Sequence, residues 1–230
     1  TGKAPHYLIA LTQGFVLQAK GPASYSKARE SFMLAYKLNP GNRAVLTALL
    51  NLDFALKDAA ATERHADALL RMDRGDGLAN YLRGTLLLSR DDLEGAEAHL
   101  RRSLAAKPSS PVCNDLAETL RRQGKLDEAG KTARQALALD PKNASAHDTL
   151  ACILLDEGRL PEAGQSSLSA RTLDPKAVSF KLTEVRILAR TGDPVEARER
   201  VRQLTLQADA LSPRQRAELA AVAAGLKGRK

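Results

Sequence analysis

Tryptophan is absent, and four phenylalanines with four tyrosines bring the aromatic content to only 3% of a 230-residue chain. Hydrophobic residues nevertheless make up 43%, so alanine and leucine supply the apolar surface. That balance suits closely packed helices and works against a sheet sandwich, which needs β-branched and aromatic side chains. Cysteine is scarce too: Cys113 and Cys152 set no disulfide framework, and neither an oxidising nor a reducing compartment is excluded. No stretch approaches the roughly eighteen apolar residues of a membrane-spanning helix. A glycine-rich phosphate loop, a Walker lysine motif and a His-Glu-x-x-His helix are all missing, which leaves catalysis almost without sequence support. The four histidines, His6, His65, His99 and His147, lack the converging Cys or Asp partners of a metal site. The chain opens on Thr1-Gly2-Lys3 and leads into no signal-like apolar core, so a processed or excised piece of a longer protein is expected.

Against these absences stands a strict period. Compact side chains recur at Ala28, Thr62, Ala96, Ala129, Ala163 and Ala197, in steps of 34 residues with one step of 33 between Ala96 and Ala129. A second ladder, Ala35, Leu69, Ser103, Ala136, Ala170 and Leu204, keeps the same steps. So does a third, Pro40, Arg74, Pro108, Pro141 and Pro175, in which arginine once replaces proline. A small residue lets two helix backbones approach where they cross, and proline ends a helix by removing an amide donor. Gly124, Gly158 and Gly192 fall between the two helices of a unit, where left-handed backbone is cheap for glycine, and Lys57 takes that place in an earlier unit. Between the breaks, apolar residues recur at threes and fours, as in Leu116 and Leu120 or Ala129, Ala133, Ala136 and Leu137. The reading is an all-α chain of helix-turn-helix units over 9–42, 43–76, 77–109, 110–143, 144–177 and 178–211.

The period and these residues resemble the tetratricopeptide repeat (TPR), whose pattern places small residues, an aromatic and a closing proline at such offsets. The run from Leu126-Asp127-Glu128-Ala129 to Leu139-Asp140-Pro141 is near its consensus second helix. The resemblance implies a right-handed α-solenoid of about six repeats over 1–211, with first helices lining a concave groove and second helices on the convex side. Three departures stand out. Cys113 and His147 occupy the place of the family's first-helix tryptophan, Lys57 and Arg74 depart from the pattern in the second unit, and Glu184 sits where a core leucine is usual. The last departure predicts a rotated or shifted first helix in the sixth unit. Ser212-Pro213-Arg214-Gln215 reads as a capped helix start, followed by Leu219, Val222, Ala223 and Leu226 on one face. Residues 212–230 are therefore expected to be a C-terminal capping helix with a basic tail, Gly228-Arg229-Lys230.

Function follows from the resemblance: a non-enzymatic scaffold or adaptor that binds a peptide or protein segment in the groove. The groove residues carried over are Thr47, Asn51 and Phe54, then Tyr81, Thr85 and Leu88, then Asn114, Glu118, Arg121 and Arg122, then Asp148, Cys152 and Leu155, with Arg186 and Arg190 from the sixth unit. Asn51 and Asn114 suit a partner's main chain, Phe54, Tyr81 and Leu88 form an apolar anchor patch, and Glu118 and Asp148 facing Arg121, Arg122 and Arg186 make the far half mixed in sign. Repeats that grip acidic chaperone tails use Lys, Asn and Arg where this chain has Gln13, Leu17, Ala48 and Leu78, so that clamp is not present. Cys152 is expected to be reactive on the groove face and Cys113 packed, and His65 and His99 are expected on the outer face. No cofactor or metal is expected, nucleic acid is an unlikely partner, and self-association through the stack ends is open. The formal charge of +8, from 35 basic and 27 acidic residues, keeps a nucleic-acid-associated basic module as an alternative. A structural spacer within a longer repeat array is the other. Richness in Ala, Arg and Leu resembles bacterial repeat proteins of envelope and secretion assemblies, with cytoplasm and periplasm both open.

Overall fold

The computed structural model describes residues 3–191 and 194–226. It divides into two compact units, Thr1–Pro108 and Ser109–Lys230, and the division falls where the period slips by one residue. The regular elements of the described residues are α-helices and two short 3₁₀ helices, with no strand among them. Gly192 and the Gly228-Arg229-Lys230 tail lie outside the described residues.

The N-terminal unit holds α1 (Lys3–Ala19), α2 (Tyr25–Leu38), α3 (Arg43–Ala55), α4 (Ala59–Met72), α5 (Gly77–Ser89) and α6 (Leu93–Ala106). The C-terminal unit holds α7 (Ser110–Arg122), α8 (Leu126–Leu139), α9 (Ala144–Asp156), α10 (Leu160–Leu173), α11 (Val178–Thr191), α12 (Pro194–Thr205) and α13 (Pro213–Leu226). Successive helices pack as hairpins, α1 with α2 through α11 with α12. Helix starts are local chemistry. Asn42, Asp58, Asp76, Asp92 and Asn143 each accept a hydrogen bond from the amide three residues on, satisfying a donor that the helix leaves open. Lys125 and Arg159 cannot do this, but Asp127 and Glu128, or Glu162, put negative charge in the first turn.

All twelve members of the two compact ladders are buried, each at most 2% exposed, so the repeat is a packing repeat. In the N-terminal unit Phe32 packs with Ala10, Ala28, Ala35, Val45 and Leu49. Close approach also explains Gly84: a Cβ there would come within 2.7 Å of Leu100 Cγ on α6. The inter-helix turns use positive φ at Gly124 and Gly158, but also at Lys57 (59°) and Asp91 (65°), where a side chain must tolerate the left-handed region.

Two expectations need correction. His65 is not on the outer face. It is buried, with Nδ1 2.5 Å from Oδ2 of the fully buried Asp53 and its ring edge-on to Tyr36. Arg29 Nε donates to the other oxygen of Asp53 at 2.5 Å and Arg29 also bonds Asp58, so one buried acid ties α2, α3 and α4 together. His99 turns instead to Asn80 Oδ1 at 2.9 Å. The second correction concerns α11, which is not shifted: Phe180, Thr183 and Ile187 are buried as Ala146, Thr149 and Ile153 are one repeat earlier. Glu184 keeps its place because Arg171 of α10 pairs with it.

After a 3₁₀ turn at Ala208–Ala210, α13 begins with a reciprocal cap: Gln215 N donates to Ser212 Oγ at 3.3 Å, and Ser212 N donates to Gln215 Oε1 at 3.0 Å. The helix packs on α11 and α12, with Leu219 and Leu226 buried and Val222 and Ala223 against the same cluster as Leu182, Val185 and Val201.

Candidate functional site

In the C-terminal unit the first helices α7, α9 and α11 pack side by side, and α13 leans on α11. Residues four apart on a helix share a face, which is why Asp148 and Cys152 of α9 look the same way. They meet Glu118, Arg121 and Arg122 of α7, Thr183 and Arg186 of α11, and Gln215 and Glu218 of α13 around a cavity of about 330 Å³. Six residues named from the sequence, Glu118, Arg121, Arg122, Asp148, Cys152 and Arg186, thus line one polar pocket. Thr183 and the α13 residues were not among them. Thr183 repeats the place of Thr149 one period earlier, a signal the sequence does carry. The α13 contribution depends on where that helix docks and left no local trace.

The pocket's charges are unevenly matched. Arg121 is deeply set, bonded by Glu118 through Nε (2.8 Å) and Nη2 (3.0 Å) and by Asp156 through Nη1 (2.5 Å). Burial alone would lower its pKa, but the bonds and charge of Glu118, with the charge of Asp156, raise it further. Arg121 is therefore a structural pillar of the wall, with two carboxylates already on its guanidinium. Arg186 is different: it donates to Cys152 Sγ at 3.4 Å, an ordinary length for sulfur, and its carboxylate contacts, Asp156 at 3.5 Å and Glu218 at 3.8 Å, are long for a guanidinium. Asp148 Oδ1 is sealed from solvent and accepts no hydrogen bond among the described residues. Burial, opposed by a bond from Thr183 and reinforced by the charge of Glu118, pushes the Asp148 pKa up to about 7.

Cys152 contradicts the expectation of a reactive thiol. It is 7% exposed, sits 3.5 Å from Thr183 Oγ1, and burial with the nearby Asp148 pushes its pKa up to about 12. A thiol so rarely ionised is a poor nucleophile. Cys113 is buried as well, and the two are not bridged. Leu155, named as a groove residue, is only 1% exposed and belongs to the core, because it lies at the inner edge of the α9 face. Arg190 spends one donor on the Leu155 carbonyl at 3.1 Å. Asn114 does not line the pocket: its amide donates to Asp115 at 3.2 Å while its Oδ1 is shielded and unbonded.

In the N-terminal unit the named residues lie on α3 and α5. Phe54 is 37% exposed and Asn51 is exposed, its Nδ2 donating to the Thr47 carbonyl at 3.0 Å. Tyr81, Thr85 and Leu88 are half-buried on α5, with Thr85 Oγ1 donating to the Tyr81 carbonyl at 3.1 Å. This surface is more apolar than the C-terminal pocket.

The tetratricopeptide repeat model matches residues 47–111 and 114–178, more than half of the chain. The chain belongs to the tetratricopeptide repeat family. TPR proteins are protein-interaction scaffolds, and that broad role comes with membership. No curated protein matches the sequence. Among solved structures, PilW, described as a widely conserved type IV pilus biogenesis factor, is similar with a TM-score of 0.71 and 19% identity, covering 94% of this chain and 97% of PilW. PilF of Pseudomonas aeruginosa gives 0.67 and 17%, covering 96% and 99%. YrrB, described as a TPR protein with an unusual peptide-binding site, gives 0.59 and 17%, covering 84% and 97%. At these identities the likeness is one of fold. None of the described helices is long and apolar enough to cross a membrane.

Proposed function

We propose that this TPR protein is a non-enzymatic adaptor whose first-helix faces hold an extended segment of a partner protein. The observation that carries the reading is the division of labour between helices. Second-helix ladders are consumed by packing, whereas first helices keep polar and aromatic side chains that gather, in the C-terminal unit, around one open cavity. Tyr81 and Phe54 offer the anchor surface typical of strong interface positions. Many arginines face acids of this chain, as Arg29, Arg43, Arg83 and Arg159 do, which leaves less basic surface for phosphates than the net charge suggests. The likeness to YrrB, a peptide-binding TPR protein, supports the same direction.

The test is recovery of partners from the native organism by affinity capture and mass spectrometry, followed by binding measurements on variants. Tyr81→Ala and Phe54→Ala should weaken the recovered partner by about 1–3 kcal/mol, while Arg134→Ala on the exposed side of α8 should not change it. Loss of binding in Arg134→Ala with the other two intact would reject the groove.

A further inference from the structure

The pocket between α7, α9, α11 and α13 holds one loosely paired cation and one unbonded acid oxygen, and together they point to one chemistry. Arg186 is a half-buried cation whose contacts all exceed 3.3 Å, and its two acidic neighbours are each held more closely elsewhere, Asp156 by Arg121 at 2.5 Å and Glu218 by Arg214 at 3.2 Å. Asp148 lines the same cavity, and its Oδ1 is buried without a hydrogen bond. A cation would relieve the acid but face Arg186; a neutral amide would add nothing to the long ion pairs that Arg186 makes with Asp156 and Glu218. We propose that this pocket receives a carboxylate, held by Arg186 as the ionic partner and by Asp148 as a hydrogen-bonding acid that keeps its proton. The ligand stays ionised and Asp148 stays neutral, so no proton changes hands.

The charged groups around Asp148 are consistent with that state. Glu118 from α7 disfavours its ionisation and Arg186 and Arg121 oppose it, Cys152 on its own helix is a neutral thiol, and Arg122, Arg214 and Glu218 line the same cavity. The helices α8 and α10, also packed on α9, put no residue on the pocket wall. Arg186 is the stronger of the opposing charges, and Arg121 is already matched by Glu118 and Asp156. With the acid titrating near 7, binding should fall about tenfold between pH 6 and pH 8.

This inference rests on reading the C-terminal unit as a binding surface, and its test does not need the partner. Isotope-labelled protein is titrated, with Arg186 side-chain and Asp148 carboxyl resonances followed, against N-acetylglutamate N-methylamide, N-acetylalanine, and the glutamine and lysine analogues of the first. The two carboxylates separate side-chain from chain-terminal capture, and saturable shifts with either support the site. Affinity should be about tenfold higher at pH 6 than at pH 8 and should vanish in Arg186→Gln. Asp148→Asn, a neutral hydrogen-bond donor at every pH, should bind with the pH dependence removed, which guards against a misfolded Arg186 variant. Equal shifts with the glutamine analogue, preference for the lysine analogue, no saturable shift, or an unchanged pH dependence in Asp148→Asn would each overturn the proposal. Captured partners that bind normally while the carboxylate probes fail would reject this site and leave the adaptor reading standing.

Discussion

Asp53 and Asp148 are acids taken into helix interfaces, and their surroundings resolve the charge in opposite ways. Asp53 has a guanidinium on one oxygen and an imidazole on the other, both at 2.5 Å. Removing the shared acid by Asp53→Ala leaves Arg29 and the buried His65 without it, and stability should drop by roughly 3 kcal/mol in urea unfolding. A loss under 1 kcal/mol would mean that the network contributes little. Asp148 has no such pairing, and its pKa rises from an ordinary 3.8 to about 7. Between those values the unfolded chain releases a proton that the native protein retains. Stability is therefore fully present below 3.8 and declines as pH rises, by up to about 1.4 kcal/mol per pH unit, until the native acid ionises near 7. Asp148→Asn removes that decline. The variant should be more stable than the parent at pH 8, with the gap closing toward pH 4; identical pH profiles in denaturant titrations would contradict it.

At the scale of elements, the inter-helix turn demands one left-handed residue, and two turns meet the demand without glycine. Lys57→Gly should stabilise the protein by up to about 1 kcal/mol, because the strain of a β-carbon at φ 59° disappears. Thermal unfolding checks the sign. A more drastic change is deletion of 212–230. Leu219 and Leu226 of α13 are buried against α11 and α12, and each buried leucine is worth about 1.5–3 kcal/mol before ordering entropy. The truncated chain should lose a few kcal/mol and self-associate, seen as a lower Tm and a larger mass in light scattering. A monomer of unchanged Tm would show that α13 contributes nothing to the stack.

For the molecule as a whole, the ladders and the start of α13 were legible because their signals are periodic or local: Ala129 or Ala163 recurs at each helix crossing, and Ser212 and Gln215 cap within one turn. His65 was misread because its burial is set by Asp53, an acid on the preceding helix that no repeat pattern announces. Cys152 was read as exposed and is buried, since exposure there is decided by Thr183 and Arg186 of the next hairpin. The α13 wall of the pocket was illegible for the same reason, being fixed by docking. The central claim, that first-helix faces are the working surface, meets its most direct test in hydroxyl-radical footprinting of the protein with a captured partner bound. Phe54 on α3, 37% exposed, and Tyr81 on α5 should be protected, whereas Leu139 on α8 and Leu168 on α10, 48% and 56% exposed, should be oxidised as in the free protein. Protection of Leu139 and Leu168 with Phe54 and Tyr81 unchanged would place the partner on the second helices and contradict the account.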